Sequence, residues 1–164
     1  MKTRTTFRLL AASAVSVLML SLPHAALAHG DVTPQAVDTS TLPALGTTWK
    51  PDNPYRGNAT AIKIGASAFG QNCARCHGLD AVSGGIAPDL RRLDNECATQ
   101  KDAKKQAMCV REIDEFFLGK FRRGVTRNGA VYMPPFEGIL NQEAAWSIKS
   151  YLETRREKPL VATK

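Results

Sequence analysis

Two cysteines separated by two residues and followed at once by a histidine are the most chemically specific feature of the sequence: Cys73-Ala74-Arg75-Cys76-His77. In a C-x-x-C-H run each thiol can add across a vinyl group of haem, and the adjacent imidazole is then carried beneath the iron as an axial ligand. The two-residue spacer lets both sulfurs reach vinyls on the same edge of the ring. Two other chemistries use a C-x-x-C pair. A dithiol redox centre needs a strand before the pair and a helix after it, whereas here the motif ends a helical pattern and runs into a glycine-rich loop. Half of a zinc site needs further ligands, but the remaining cysteines, Cys97 and Cys109, are twelve apart, and the only other histidine beyond residue 28 is His29. The motif therefore points to one covalently attached haem c, with Cys73 and Cys76 as thioether donors and His77 as one iron ligand.

The second axial ligand follows by elimination. Beyond residue 28 the candidates are His29, Met108 and Met133. Met108 falls inside a helical pattern beside Cys109, where a thioether reads as core filler. His29 sits at the head of a long arm. Met133 lies in Val131-Tyr132-Met133-Pro134-Pro135-Phe136, where the following proline forces it into an extended conformation and two prolines stiffen the chain. A rigid irregular loop can hold a weak thioether against iron, so Met133 is the expected sixth ligand. Methionine opposite histidine favours the ferrous state and raises the potential. It also fills the position that oxygen or peroxide would need.

These residues must be positioned by a small domain. The 164 residues leave room for one. The first eight carry three positive charges and no acid, an apolar run follows from Leu9 to Leu22, and Ala26-Leu27-Ala28 has the small-x-small pattern of a cleavage site. The apolar run is short for a bilayer span. A signal peptide over residues 1–28 is expected, with export to the periplasm and no membrane-spanning segment once it is removed. Of 22 Lys+Arg, removal of those three leaves 19 against 15 Asp+Glu, a net of +4. Nothing in that balance demands nucleic acid.

Residues 29–57, with four prolines and little apolar periodicity, read as an extended N-terminal arm pinned by Trp49 and Tyr55. The domain proper is expected over residues 58–158, followed by a tail at 159–164. A helix opens at Asn58 and runs towards Gln71, with Ala61, Ile62, Ile64, Ala68 and Phe69 at helical spacing. Residues 99–121 read as helix in two pieces, and residues 124–138 as irregular. The last helix starts near Asn141 and runs to about Arg156, with Trp146, Ile148, Tyr151 and Leu152 on its apolar face. No strand is evident, so the expected fold class is all-α. A core this small is marginal alone, and a buried haem would supply much of it.

The sequence resembles class I cytochromes c, and within them the PedF-type cytochrome c associated with quinoprotein alcohol dehydrogenases. The resemblance rests on Asn53-Pro54-Tyr55-Arg56-Gly57-Asn58, on Gln71 to Leu79 around the haem motif, on Ser83-Gly84-Gly85-Ile86-Ala87-Pro88-Asp89-Leu90, and on Val131 to Gly138. It implies a fold of helices packed around one haem. It also implies that Gly65 and Phe69 of the first helix cross the last helix near Trp146 and Tyr151, and that the Pro88 carbonyl accepts the Nδ1 proton of His77. The implied function is single-electron transfer without substrate chemistry. The implied donor is a pyrroloquinoline quinone (PQQ)-dependent alcohol dehydrogenase, with a terminal oxidase or another cytochrome as acceptor. A haem enzyme or sensor with an open iron site, and a membrane-held respiratory subunit, are the alternatives.

Cys97 and Cys109 are left over. In an oxidising periplasm a disulfide is the default for them; a free, redox-regulated pair is the other reading. The basic clusters Lys101/Lys104/Lys105 and Lys120/Arg122/Arg123/Arg127 read either as a solvated face or as a surface that steers acidic redox partners.

Overall fold

The computed structural model describes residues 33–160. The signal peptide expected at 1–28 and His29 lie outside the described residues, as do residues 161–164.

Asn58 starts the first helix because its side-chain oxygen accepts from the backbone nitrogens of Thr60 and Ala61, two donors that have no partner inside the helix. Helix α1, Ala59–Asn72, is followed by the single-turn helix α2, Ala74–His77. The last helix, α4 (Gln142–Thr154), is capped in the same way by Asn141, which accepts from the nitrogen of Ala144. From Ala144 to Leu152 every residue of α4 is buried, so this helix is enclosed on all sides rather than amphipathic. Helices α1 and α4 cross at Gly65, where an added Cβ would overlap the backbone carbonyl of Ser147. One turn further on, the rings of Phe69 and Tyr151 lie 5.4 Å apart. Phe69 is 2 % exposed, and a ring so buried contributes about 3 kcal/mol.

The stretch expected as two helical pieces from residue 99 is one helix, α3, Ala103–Arg123, capped by Asp102. Its buried positions are Gln106, Val110, Asp114, Leu118 and Phe121, a regular stripe in which two members are polar. Those two polar members interrupt the apolar period and make a continuous helix look broken. Met108 lies off this stripe and is 62 % exposed, so it is not core filler. Cys97, in the short turn Cys97–Thr99, is bonded to Cys109 with Cα atoms 5.5 Å apart, which ties that turn to α3.

Residues 124–138 are not wholly irregular. They contain an antiparallel hairpin of β1 (Val125–Arg127) and β2 (Ala130–Met133). Asn128 and Gly129 both have positive φ, 50° and 77°, which is the two-residue turn that matches the twist of paired strands. The fold is mostly helical, with this hairpin as the only sheet among the described residues.

Residues 33–57 contain no helix or strand and are bonded to the domain along their length. The Gln35 nitrogen donates to Asn72 at 2.6 Å, the Leu45 nitrogen to Glu143 at 2.7 Å, and the Asn53 nitrogen to Asp114 at 3.0 Å. Tyr55 is buried and its hydroxyl donates to the Pro43 carbonyl; Trp49 is half-buried against Phe121. At the end of this stretch Arg56 pairs with Asp114 and Glu153. Lys149, 1 % exposed, lies 3.2 Å from Asp114 and 2.9 Å from Glu153. Arg156 pairs with Asp94 at 2.7 Å. Buried charges persist only when paired in this way. Among the described residues no helix is long and apolar enough to cross a membrane.

Candidate haem site

Cys73 is the residue on which α1 ends: its nitrogen still donates to the Phe69 carbonyl at 2.8 Å. One further turn brings the His77 nitrogen to the Cys73 carbonyl at 3.0 Å and the Gly78 nitrogen to the Ala74 carbonyl at 2.8 Å. The turn places Cys73 and Cys76 three residues apart on one helical face, with His77 next in line. Both thiols are free, so the pair is not a disulfide. Burial pushes the Cys73 thiol up to about 12, with Cys76 adding to the effect. A nucleophilic dithiol centre needs the opposite, a depressed thiol.

The His77 ring is fixed from outside the motif. Its Nδ1 lies 2.9 Å from the Pro88 carbonyl oxygen. A carbonyl only accepts, so the proton resides on Nδ1 and Nε2 keeps its lone pair for a metal. The loop that delivers Pro88 is itself tied: Ser83 Oγ donates to the Ala87 carbonyl and accepts from the Gly85 nitrogen. Beyond Pro88, Asp89 caps the turn Leu90–Arg92 and pairs with Arg91 at 2.7 Å. The Arg91 side chain holds the Asp89 carboxyl down at about 2.

Met133 is the last residue of β2 and is half-buried. Its backbone is locked against the end of α3 at Gly124, which has φ 66°; an added Cβ there would overlap the Met133 carbonyl and crowd Pro134 and Pro135 at 2.8 Å. Three residues later the Phe136 nitrogen donates to the Phe121 carbonyl at 3.0 Å, and the two rings stack at 5.4 Å. The thioether is therefore carried by a segment held on both sides. Cys73, Ala74, Leu90, Phe117 and Met133 all pack as half-buried residues against the same core cluster.

This donor set fits haem. It offers two thiols, an imidazole with its tautomer set, and a thioether on a stiff loop, and Cys73 and Met133 among them border one core. The indole Nε1 of Trp146 in that core is buried and has no protein partner. Among the described residues no group of three or more His, Cys, Asp or Glu side chains could hold a bare metal ion.

The sequence names Cys73, Cys76, His77 and Met133, and the resemblance adds Pro88; Gly124 is not among them, although a glycine closing a helix just before the methionine segment is its signal. Also outside them is the turn after His77, in which Asp80 and Ala81 both have positive φ, 55° and 64°. Of the basic residues, Arg122 pairs with Glu137 at 2.6 Å and lies over Trp49. Arg127 lies over the Tyr132 ring and Lys120 over the Phe116 ring.

A family model described as Cytochrome C oxidase, cbb3-type, subunit III matches residues 60–152, from α1 through most of α4. Cytochrome c550 of Pseudomonas aeruginosa is 51 % identical over 139 residues, which covers 82 % of this chain and 86 % of that protein. Two longer Pseudomonas putida proteins match in part. Quinohemoprotein alcohol dehydrogenase ADH-IIG is 34 % identical over 64 % of this chain, and quinohemoprotein alcohol dehydrogenase ADH IIB is 29 % identical over 62 %. The match spans only 12 % of each dehydrogenase. No solved structure matches the chain.

Proposed function

This chain belongs to the class I cytochromes c and carries covalently bound haem c, and on that premise we propose that it is a periplasmic single-haem carrier that takes electrons one at a time from a PQQ-dependent alcohol dehydrogenase. The haem supplies reversible one-electron chemistry at iron. Cys73 and Cys76 would hold it through thioether bonds, and His77 and Met133 would supply its iron ligands. Pro88 keeps the His77 proton on Nδ1, which orients the imidazole and raises its basicity. The observation that carries this reading is the Pro88 bond that fixes the tautomer of His77, and a methionine clamped against the end of α3 supports it. With Met133 as a ligand the iron would have no open position, which would suit outer-sphere electron transfer rather than an open-site enzyme or sensor.

The domain plan of the proposal is a cleaved signal peptide at 1–28, an arm at 29–57, a cytochrome c domain at 58–158 and a tail at 159–164. The many bonds from residues 33–57 to the domain support treating the arm as part of the folded unit. The donor assignment is supported by the alcohol dehydrogenases that contain, within a far longer chain, a segment similar to this one. There the cytochrome-like segment and the dehydrogenase are one polypeptide; here the carrier would be a separate protein. The acceptor would be a terminal oxidase or another cytochrome.

Stopped-flow reduction of the ferric protein by a quinoprotein ethanol dehydrogenase with alcohol present tests the donor. Fast reduction that slows as salt rises supports it, along with a steering role for the exposed basic residues. Negligible reduction of an intact haem protein rejects the donor and leaves the carrier.

A further inference from the structure

The chain reverses direction immediately after His77 through a turn that its sequence does not favour. Gly78 has φ 77°, and an added Cβ would overlap the Val82 carbonyl. Asp80 and Ala81 follow with φ of 55° and 64°. Glycine enters this left-handed region freely, but an alanine there is strained. Ala81 is fully buried, with no exposed surface through which the turn could relax. Aspartate tolerates this region, so the strain falls on Ala81, which persists there only when its surroundings hold it.

What holds Asp80 comes from α4 and its C-cap. The Tyr151 hydroxyl donates to Asp80 Oδ1 at 3.3 Å, and Arg155 Nη1 lies 3.7 Å from the same oxygen. Arg155 also lies over the Tyr151 ring at 5.1 Å. The other side of the Tyr151 contact network is Phe69, 5.4 Å away ring to ring, and the Phe69 carbonyl accepts from Cys73. Tyr151 therefore touches the residue that anchors the start of the Cys73–His77 segment and the residue that anchors its exit.

We propose that Asp80 and Tyr151 form a clasp that positions His77: α4 holds the strained exit turn closed and so fixes the plane of the imidazole that faces the iron. This rests on His77 being the axial ligand, as argued above. The Pro88 bond fixes one nitrogen of the ring; the clasp fixes the backbone from which the ring projects. Asp80 and Tyr151 are positioning residues, acting through His77 rather than on the haem.

The test uses the haem-loaded protein and the variants Asp80→Gly, Asp80→Asn, Tyr151→Phe and the double variant Asp80→Gly/Tyr151→Phe. Asp80→Gly removes the carboxylate while keeping positive φ accessible, Asp80→Asn keeps an acceptor, and Tyr151→Phe removes only the hydroxyl. The readouts are the haem methyl resonances of the ferric protein, which report the orientation of the axial imidazole plane, and the midpoint potential. Asp80→Gly and Tyr151→Phe are expected to shift both in the same direction, the double variant to shift them no further, and Asp80→Asn to stay near wild type. Unchanged methyl resonances with only a lowered melting temperature, or fully additive shifts, would overturn the clasp. A wild-type spectrum without imidazole ligation would overturn the site reading itself, and the clasp with it.

Discussion

The Nδ1 atom of His77 lies 2.9 Å from the carbonyl oxygen of Pro88, although eleven residues separate them. That contact links the haem motif to a loop whose own bonds, Ser83 to Ala87 and to Gly85, hold the carbonyl in place. A proton shared with a carbonyl makes the imidazole a better electron donor, which stabilises ferric iron. Replacing Pro88 with glycine keeps the carbonyl but frees the backbone. The expected outcome is a higher midpoint potential, by at most about 40 mV if a hydrogen bond of about 1 kcal/mol is lost. Redox titration of the two proteins checks it; an unchanged or lower potential contradicts the role given to Pro88.

Gly65 tests the helix crossing. A methyl group there would overlap the Ser147 carbonyl and lie 3.0 Å from the Ile148 nitrogen, so α1 and α4 must part to admit it. The expected cost of Gly65→Ala is about 3 kcal/mol, despite the better helix propensity of alanine. Thermal melting of the haem protein reads it, and a variant as stable as wild type would show that the helices are not in backbone contact.

The Cys97–Cys109 bond involves none of the donor residues and staples the turn Cys97–Thr99 to α3. Replacing both with serine is expected to cost about 3 kcal/mol, a drop in melting temperature of roughly 10 °C for a domain of this size. The haem absorption spectrum should not change. A spectrum altered by the double substitution would place the disulfide in the redox site after all.

Asp89 gives the stability an acid-side dependence of known sign. Hydrogen bonding to Arg91 holds its carboxyl at about 2, below the ordinary 3.8. A depressed carboxylate contributes stability that is fully present above the ordinary value and fades as pH falls from 3.8 towards about 2. The stability difference between wild type and Asp89→Asn should be present above pH 4 and vanish across that window. Denaturant titrations at several pH values decide it, and a difference that grows on acidification has the wrong sign.

The proposed site can be read from the sequence because its chemistry is local. Five residues carry the haem motif, and a methionine before two prolines stands out in a chain with few other candidates. Both caps, Asn58 and Asn141, were also readable, since capping is a contact between near neighbours. What escaped depends on residues far apart in sequence. Gln106 and Asp114 look like breaks in an apolar stripe until Asp114 meets Lys149 and Arg56, and Lys149 looks like a surface residue until its two carboxylates are placed. The hairpin is different, because Asn128-Gly129 is a strong local signal. The strands it joins are only three and four residues long, too short for an apolar alternation to show.

The most direct measurement is the binding of carbon monoxide to the ferrous protein and of cyanide to the ferric protein, each beside Met133→Ala. The account predicts that wild type, with Met133 on the iron, resists both ligands, and that the variant takes them up readily while keeping its covalent haem. Rapid, tight binding by wild type, equal to that of the variant, would contradict the closed site and with it the assignment of the chain as a pure electron carrier.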